Sequence, residues 1–227
     1  MVSSLCQRLL QLPAELGWPG AALYVAQRLL QGLLPQSRLV CYRLLAQPVL
    51  PAARLPASRG QHYAFRLLTR AEPVLLQLGR PEAVIAQRFA QGAQCLLATR
   101  GQALAGCIWF VRAQYCDDEV RVDYVLPPGS VWDFDVFVAQ SERLGFLFAR
   151  QWDVLDALLR QTQVQRSFSR INALNRISLA SHRRLGASDV GWALFVCLGR
   201  RQLMLSSLAP FVALGGRPRL RLPGARA

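Results

Sequence analysis

The sequence predicts a mixed α/β (α+β) fold, a central and mostly antiparallel sheet with flanking helices. Three observations predict it. Residues 93–139 hold strand-length apolar runs divided by turn residues. Residues 143–161 instead repeat their apolar positions at helical spacing. After them, strand-like and helix-like segments alternate. With 227 residues, 52% of them apolar and 18% charged, the chain can bury a substantial core and is too apolar for wholesale disorder.

The elements follow in order. Residues 23–34 (LYVAQRLLQGLL) read as a helix, and residues 37–50 contain the β-rich run LVCYRLL. Pro48, Pro51, Pro56, Ser58 and Gly60 then break the pattern. Residues 1–60 therefore read as an N-terminal extension and 61–200 as the main domain. Residues 62–69 read as a strand, 72–78 and 81–91 as helices. Strands at 93–99 and 103–112 form a hairpin around Arg100-Gly101-Gln102. Strands at 119–126 and 131–139 are divided by Pro127-Pro128-Gly129, and a helix covers 143–161. A strand at 166–173, a helix opening at Asn175 and a last strand at 187–198 complete the pattern. Residues 201–227 read as an arginine-rich tail, docked or disordered. Its charge-free run QLMLSSLAPFVALGG has 15 residues, short of the ~20 that a spanning helix needs, so loose contact with a membrane surface is the most it suggests.

The net charge is +14, and all 27 basic residues are arginine, which we read first as codon bias. The charge is uneven. Residues 117–156 carry 9 acids and 3 arginines, while 157–227 carry 12 arginines and 1 acid. An acidic island between basic flanks results, and such flanks attract polyanions. The arginine-rich segments lack interleaved aromatics, so no specific nucleic-acid site is expected. The six cysteines show no CxxC spacing and no nearby histidine, so neither a metal site nor a disulfide framework is expected. That fits a reducing, cytoplasmic location, and the N-terminus lacks the pattern of a signal peptide. No GxSxG, HExxH, Walker or EF-hand motif is present.

The segment NRISLASHRRLGA carries the most specific signal. Asn175, Ser178 and His182 return to one side of a helix that Gly186 ends. This spacing, with the order of the flanking strands, resembles the GNAT superfamily of acyl-CoA-dependent N-acetyltransferases over about residues 62–200. The penultimate helix of that superfamily carries Asn, a small residue, Tyr, then Gly and an aromatic. Here those places hold Asn175, Ser178, His182, Gly186 and Ala187. The second family element is a strand, a phosphate-cradling turn and a helix, matched by VWDFDVFVAQSERLGFLFARQWD at 131–153. The family turn reads Arg or Gln, two residues, Gly, one residue, Gly or Ala. With Arg143 first, Phe146 and Phe148 take the small places; with Glu142 first, Gly145 fits and Leu147 does not.

The resemblance implies an acyl-CoA co-substrate, with acetyl-CoA the simplest, and an amine-bearing acceptor that attacks the thioester directly. Arg143, Leu144, Gly145 and Phe146 would face the pyrophosphate. Backbone N–H groups at Val136 and Val138 would polarise the acyl carbonyl. Asn175 and Ser178 would meet the pantetheine or position their helix. His182, in the tyrosine place, would protonate the leaving thiolate, which an imidazolium of pKa about 6.5 can do; packing or capping is its alternative role. Asp133 and Asp135, alternating on one strand face, are the first candidates for a general base, with Asp123 and Glu119 after them. The acidic island points to a cationic or amino-bearing acceptor. The alternative function is a non-catalytic protein of the same fold that binds a partner, an anionic lipid or RNA through its arginine-rich flanks.

Overall fold

The computed structural model describes residues 2–224, with the side chains of 2–12 and of residue 15 outside that description. In chain order the helices are α1 (Val2–Leu33), α2 (Glu82–Ala90), α3 (Leu147–Arg160) and α4 (Arg176–Arg184). The strands are β1 (Ser37–Pro48), β2 (Ala64–Leu68), β3 (Gln94–Arg100), β4 (Ala103–Arg112), β5 (Gln114–Cys116), β6 (Asp123–Val125), β7 (Ser130–Val138), β8 (Arg166–Asn172), β9 (Ser188–Leu198), β10 (Arg201–Ser206), β11 (Val212–Leu214) and β12 (Arg219–Arg221). The expected class holds: mixed α and β, with mostly antiparallel pairing. Among the described residues no helix is long and apolar enough to cross a membrane.

The chain divides into two compact units. The first comprises residues up to Leu45, Asp117–Asp123 and Arg170–Arg221. Its strand order is β11-β10-β9-β1-β8. α1 runs past Pro13 and Pro19 and is broken at Gly17, whose φ of 71° suits glycine. Gly20 admits no side chain without a shift, since a Cβ there would lie 2.9 Å from the Leu16 Cβ across the break in α1. Leu45, Ile171, Leu179 and Ala187 form a core cluster. Two sequence expectations change in this unit. Residues 201–206, read as the start of a tail, form β10, antiparallel to β9 from Arg201↔Leu198 to Ser206↔Ala193. Its alternation buries Gln202, Met204 and Ser206, and that period of two marks it as a strand. The strand expected at 119–126 shortens to β6. The Asp117 carboxylate accepts the backbone N–H groups of Glu119 (2.8 Å) and Val120 (3.0 Å), and this side-chain turn diverts the backbone from extended pairing.

The second unit comprises Ala46–Cys116, Tyr124–Ser169 and the residues from Leu222. Its strand order is β8-β7-β4-β3-β2. The β3–β4 hairpin closes at Gly101, φ 60°, as its turn residues predict. β4 pairs with β7 antiparallel, and β7 pairs with β8 parallel. Residues 72–78, expected as a helix, form a short 3-10 turn stopped by Gly79 at φ 68°. One sheet face carries Trp109, Trp132 and Phe134, with Phe89 tilted against Trp109 and Tyr115 stacked on Trp132. The other face meets α3, where Trp152, Leu155 and Leu159 are buried. Gly106 on that face admits no side chain: a Cβ would lie 2.2 Å from Gln151 Oε1 and 2.6 Å from the Phe137 carbonyl oxygen.

Candidate functional site

The second unit holds a continuous stretch from β7 through a turn into α3. β7 and β8 pair in parallel only from Ser130↔Arg166 to Trp132↔Phe168. β7 continues to Val138 beyond this ladder, so the strands fork. At the fork sits Asp133, 1% exposed. Its carboxylate accepts the Ser167 hydroxyl in a short bond and a second from Ser169. Burial raises this carboxyl to about 7, against the two hydroxyls that favour its ionised form.

Two residues on, the β4–β7 register slips between Cys107↔Phe137 and Trp109↔Phe134. The extra residue in β7 makes a bulge in which Asp135 has φ 47°. This overturns the expectation that Asp133 and Asp135 share a face. Asp133 stands opposite Phe110 on the α3 face. Asp135 instead meets Arg80 (2.8 Å) and Arg88 (2.6 Å), and Arg88 lies over the rings of Trp109 and Phe134 on the other face. Burial alone would raise Asp135, but the two guanidiniums outweigh it and hold the carboxyl below its ordinary value.

After Val138 the chain makes a 3-10 turn at Gln140–Glu142, and α3 begins at Leu147 rather than at 143. The N–H groups of Arg143 and Gly145 are taken by the carbonyls of Gln140 (3.4 Å) and Glu142 (3.0 Å). Phe146 at the helix N-cap makes no side-chain cap bond. Leu144 points wholly into solvent, and Arg59 stacks on the Phe146 ring at 4.8 Å. Arg143 is exposed and donates from Nε to the Val138 carbonyl at 3.3 Å. Sequence reasoning missed the brace beneath this turn. The Glu142 carboxylate accepts Tyr63 Oη (2.5 Å) and Arg100 (3.2 Å). The Tyr63 bond first, then Arg100, holds Glu142 below its ordinary value, while burial and that bond push Tyr63 up to about 12. No local pattern could have linked residues so far apart in sequence.

The remaining candidates lie in the first unit, on α4. Asn175 caps the helix: its side-chain oxygen accepts the Ser178 N–H at 3.1 Å. His182 is buried, 4% exposed, with Nδ1 2.9 Å from the Ser178 carbonyl oxygen. Burial lowers its pKa, against that bond, and favours the neutral ring. The imidazolium on which the proton-donor role relied is therefore disfavoured. Glu119, a reserve base, accepts Tyr42 Oη at 2.6 Å and lies 3.4 Å from Arg170; Asp123 pairs with Arg217 at 3.2 Å.

The acidic island as a whole is not an open surface. Asp117 and Asp118 also meet Arg170, and Asp153 and Asp156 meet Arg54. With the pairs already described, each of its nine carboxylates has an arginine or hydroxyl partner within its own unit. That removes the reason for expecting a cationic acceptor from charge alone. Among the described residues no group of three or more potential ligands could hold a metal ion. Cys41, Cys95, Cys107, Cys116 and Cys197 are free thiols.

No family model matches the chain, and no curated protein is detectably similar to it in sequence. Solved structures do resemble it in fold. A Drosophila protein is 13% identical, at a TM-score of 0.51, over 77% of this chain and 56% of its own. A functionally unknown conserved protein from Staphylococcus epidermidis is 10% identical, at 0.50, over 74% of this chain and 64% of its own. A GCN5-related N-acetyltransferase from Sphaerobacter thermophilus is 14% identical, at 0.44, over 76% of this chain and 55% of its own. The chain thus spans about three fifths of the length of the structures it matches. At these identities the likeness concerns the fold.

Proposed function

We propose that the chain is an acyl-CoA-dependent acyltransferase of the GNAT type, acting on an amine, with its cofactor-binding part in the stretch Ser130–Arg160. One observation carries the reading: β7 leaves its parallel partner after Trp132, bulges at Asp135 and delivers the chain to the N-terminus of α3. A forked strand edge has backbone groups to offer an extended amide-bearing arm. The N-terminus of a helix aims its N–H groups and its dipole at an anion such as a pyrophosphate. Arg143, exposed in the turn between β7 and α3, adds a cation there. The bulky residues of the turn do not fill this start, since Leu144 faces water and Phe146 lies under Arg59.

The co-substrate supplies an acyl group activated as a thioester. Backbone N–H groups near Val136 and Val138 would bind the carbonyl oxygen as negative charge develops on it. The amine attacks the carbonyl carbon, the carbon–sulfur bond breaks and the thiolate departs. Positioning supplies most of the acceleration. Asp133, whose proton affinity burial lifts towards neutrality, is the carboxylate suited to act as base. Asp135 stays ionised between its two arginines and shapes the bulge.

A second reading, acyl-CoA binding without turnover, is favoured by His182, which stands neutral and buried in the tyrosine place. A thermal titration with acetyl-CoA and longer acyl-CoAs, followed by thiol release in the presence of amines, separates the two. We expect a saturable rise in melting temperature, weakened in Arg143→Ala, and thiol release that needs an amine. Binding without release supports the second reading. No shift with any acyl-CoA overturns both.

A further inference from the structure

The first unit contains a cavity of about 720 Å³ that none of the acyl-transfer reasoning uses. Its size falls in the range of small-molecule sites. Leu16 and Leu23 of α1 and Trp192 and Leu194 of β9 contribute apolar lining. The same lining includes three arginines, Arg43 on β1 and Arg176 and Arg183 on α4. Arg43 (3.0 Å) and Arg183 (2.6 Å) share one carboxylate, Asp189. Arg176 has no carboxylate partner among the described residues. Among the described residues, three cations stand against one anion beside an apolar lining. A purely apolar guest would leave that charge unanswered. A purely ionic one would leave the leucines and the tryptophan in water.

We propose that this cavity binds a single-chain amphiphile with an anionic head, a long-chain fatty carboxylate. Its carboxylate lies against Arg176, and its chain lies between α1 and β9. Arg176 answers the head charge, and burial of the chain supplies most of the affinity. The site stands whether or not the chain transfers acyl groups, because no residue of the Ser130–Arg160 stretch lines it.

The test is a fluorescence titration of the full chain with dansyl-undecanoate, followed by displacement with palmitate below its aggregation concentration. We expect saturable one-site binding, and displacement by palmitate but not by an alkyl-trimethylammonium of equal length. Arg176→Glu, on an exposed side chain, weakens binding about tenfold or more. Ala180→Trp, at an exposed position that also lines the cavity, fills it and abolishes binding while the melting temperature holds. Absence of saturable binding overturns the proposal. So does equal competition by the cationic amphiphile, or binding that survives both substitutions.

Discussion

Asp133 gives the sharpest quantitative consequence of the fork. An acid held at about 7 in the folded chain, against its ordinary 3.8, keeps a proton that the unfolded chain has released. Between those values the folded state binds more protons, so stability falls as pH rises. The difference of about three pH units integrates to about 4 kcal/mol, an upper bound because a fully buried site relaxes on ionising. Below pH 4 both states are protonated and the penalty is absent. Asp133→Asn keeps the shape and an acceptor for Ser167 or Ser169 but cannot ionise. Urea unfolding of both proteins at pH 4.5, 6 and 8 isolates this group, since the other carboxylates cancel in the comparison. The variant gains on the parent with rising pH and stands 1–4 kcal/mol ahead at pH 8, roughly. A difference that is flat with pH, or that favours the parent at pH 8, would refute the assignment of a raised proton affinity.

Gly106→Ala drives a methyl into the Phe137 carbonyl and costs about 1–3 kcal/mol by denaturant unfolding; adding Gln151→Ala relieves only part of this, because the carbonyl is backbone. Arg54→Ala strands Asp153 and Asp156, whose side chains are 2% exposed, and costs about 3–5 kcal/mol. Asp156→Asn in the same background recovers part of that loss, and no recovery would point to a purely steric role for Arg54.

The sequence shows what the backbone does locally. The β3–β4 hairpin follows from a glycine between two apolar runs, and Asn175 acts at the helix start where its spacing puts it. α3 follows from its apolar period. What the sequence conceals is pairing across long separations. Nothing near Glu142 announces Tyr63, and nothing near Asp153 announces Arg54. The bulge at Asp135 is hidden for another reason: alternation across 131–139 looks unbroken, and only two distant arginines explain a non-glycine residue at positive φ. β10 was masked by composition, because a short apolar run with flanking arginines fits a tail as well as an edge strand. Of the amides expected to face an anion over Arg143–Phe146, two are already bonded within the turn, which a residue pattern does not reveal.

The pairing of the acidic island has a colloidal consequence. Eight of its nine carboxylates are paired with guanidiniums, and Asp133 is buried on two hydroxyls, so they form no open acidic patch to offset the surplus of +14. Such a particle repels its own kind and attracts polyanions without regard to their sequence. Both forces fade over about 8–10 Å at physiological ionic strength. The protein should therefore carry nucleic acid through purification in dilute buffer and shed it in concentrated salt, by the release of counterions rather than by any unfolding.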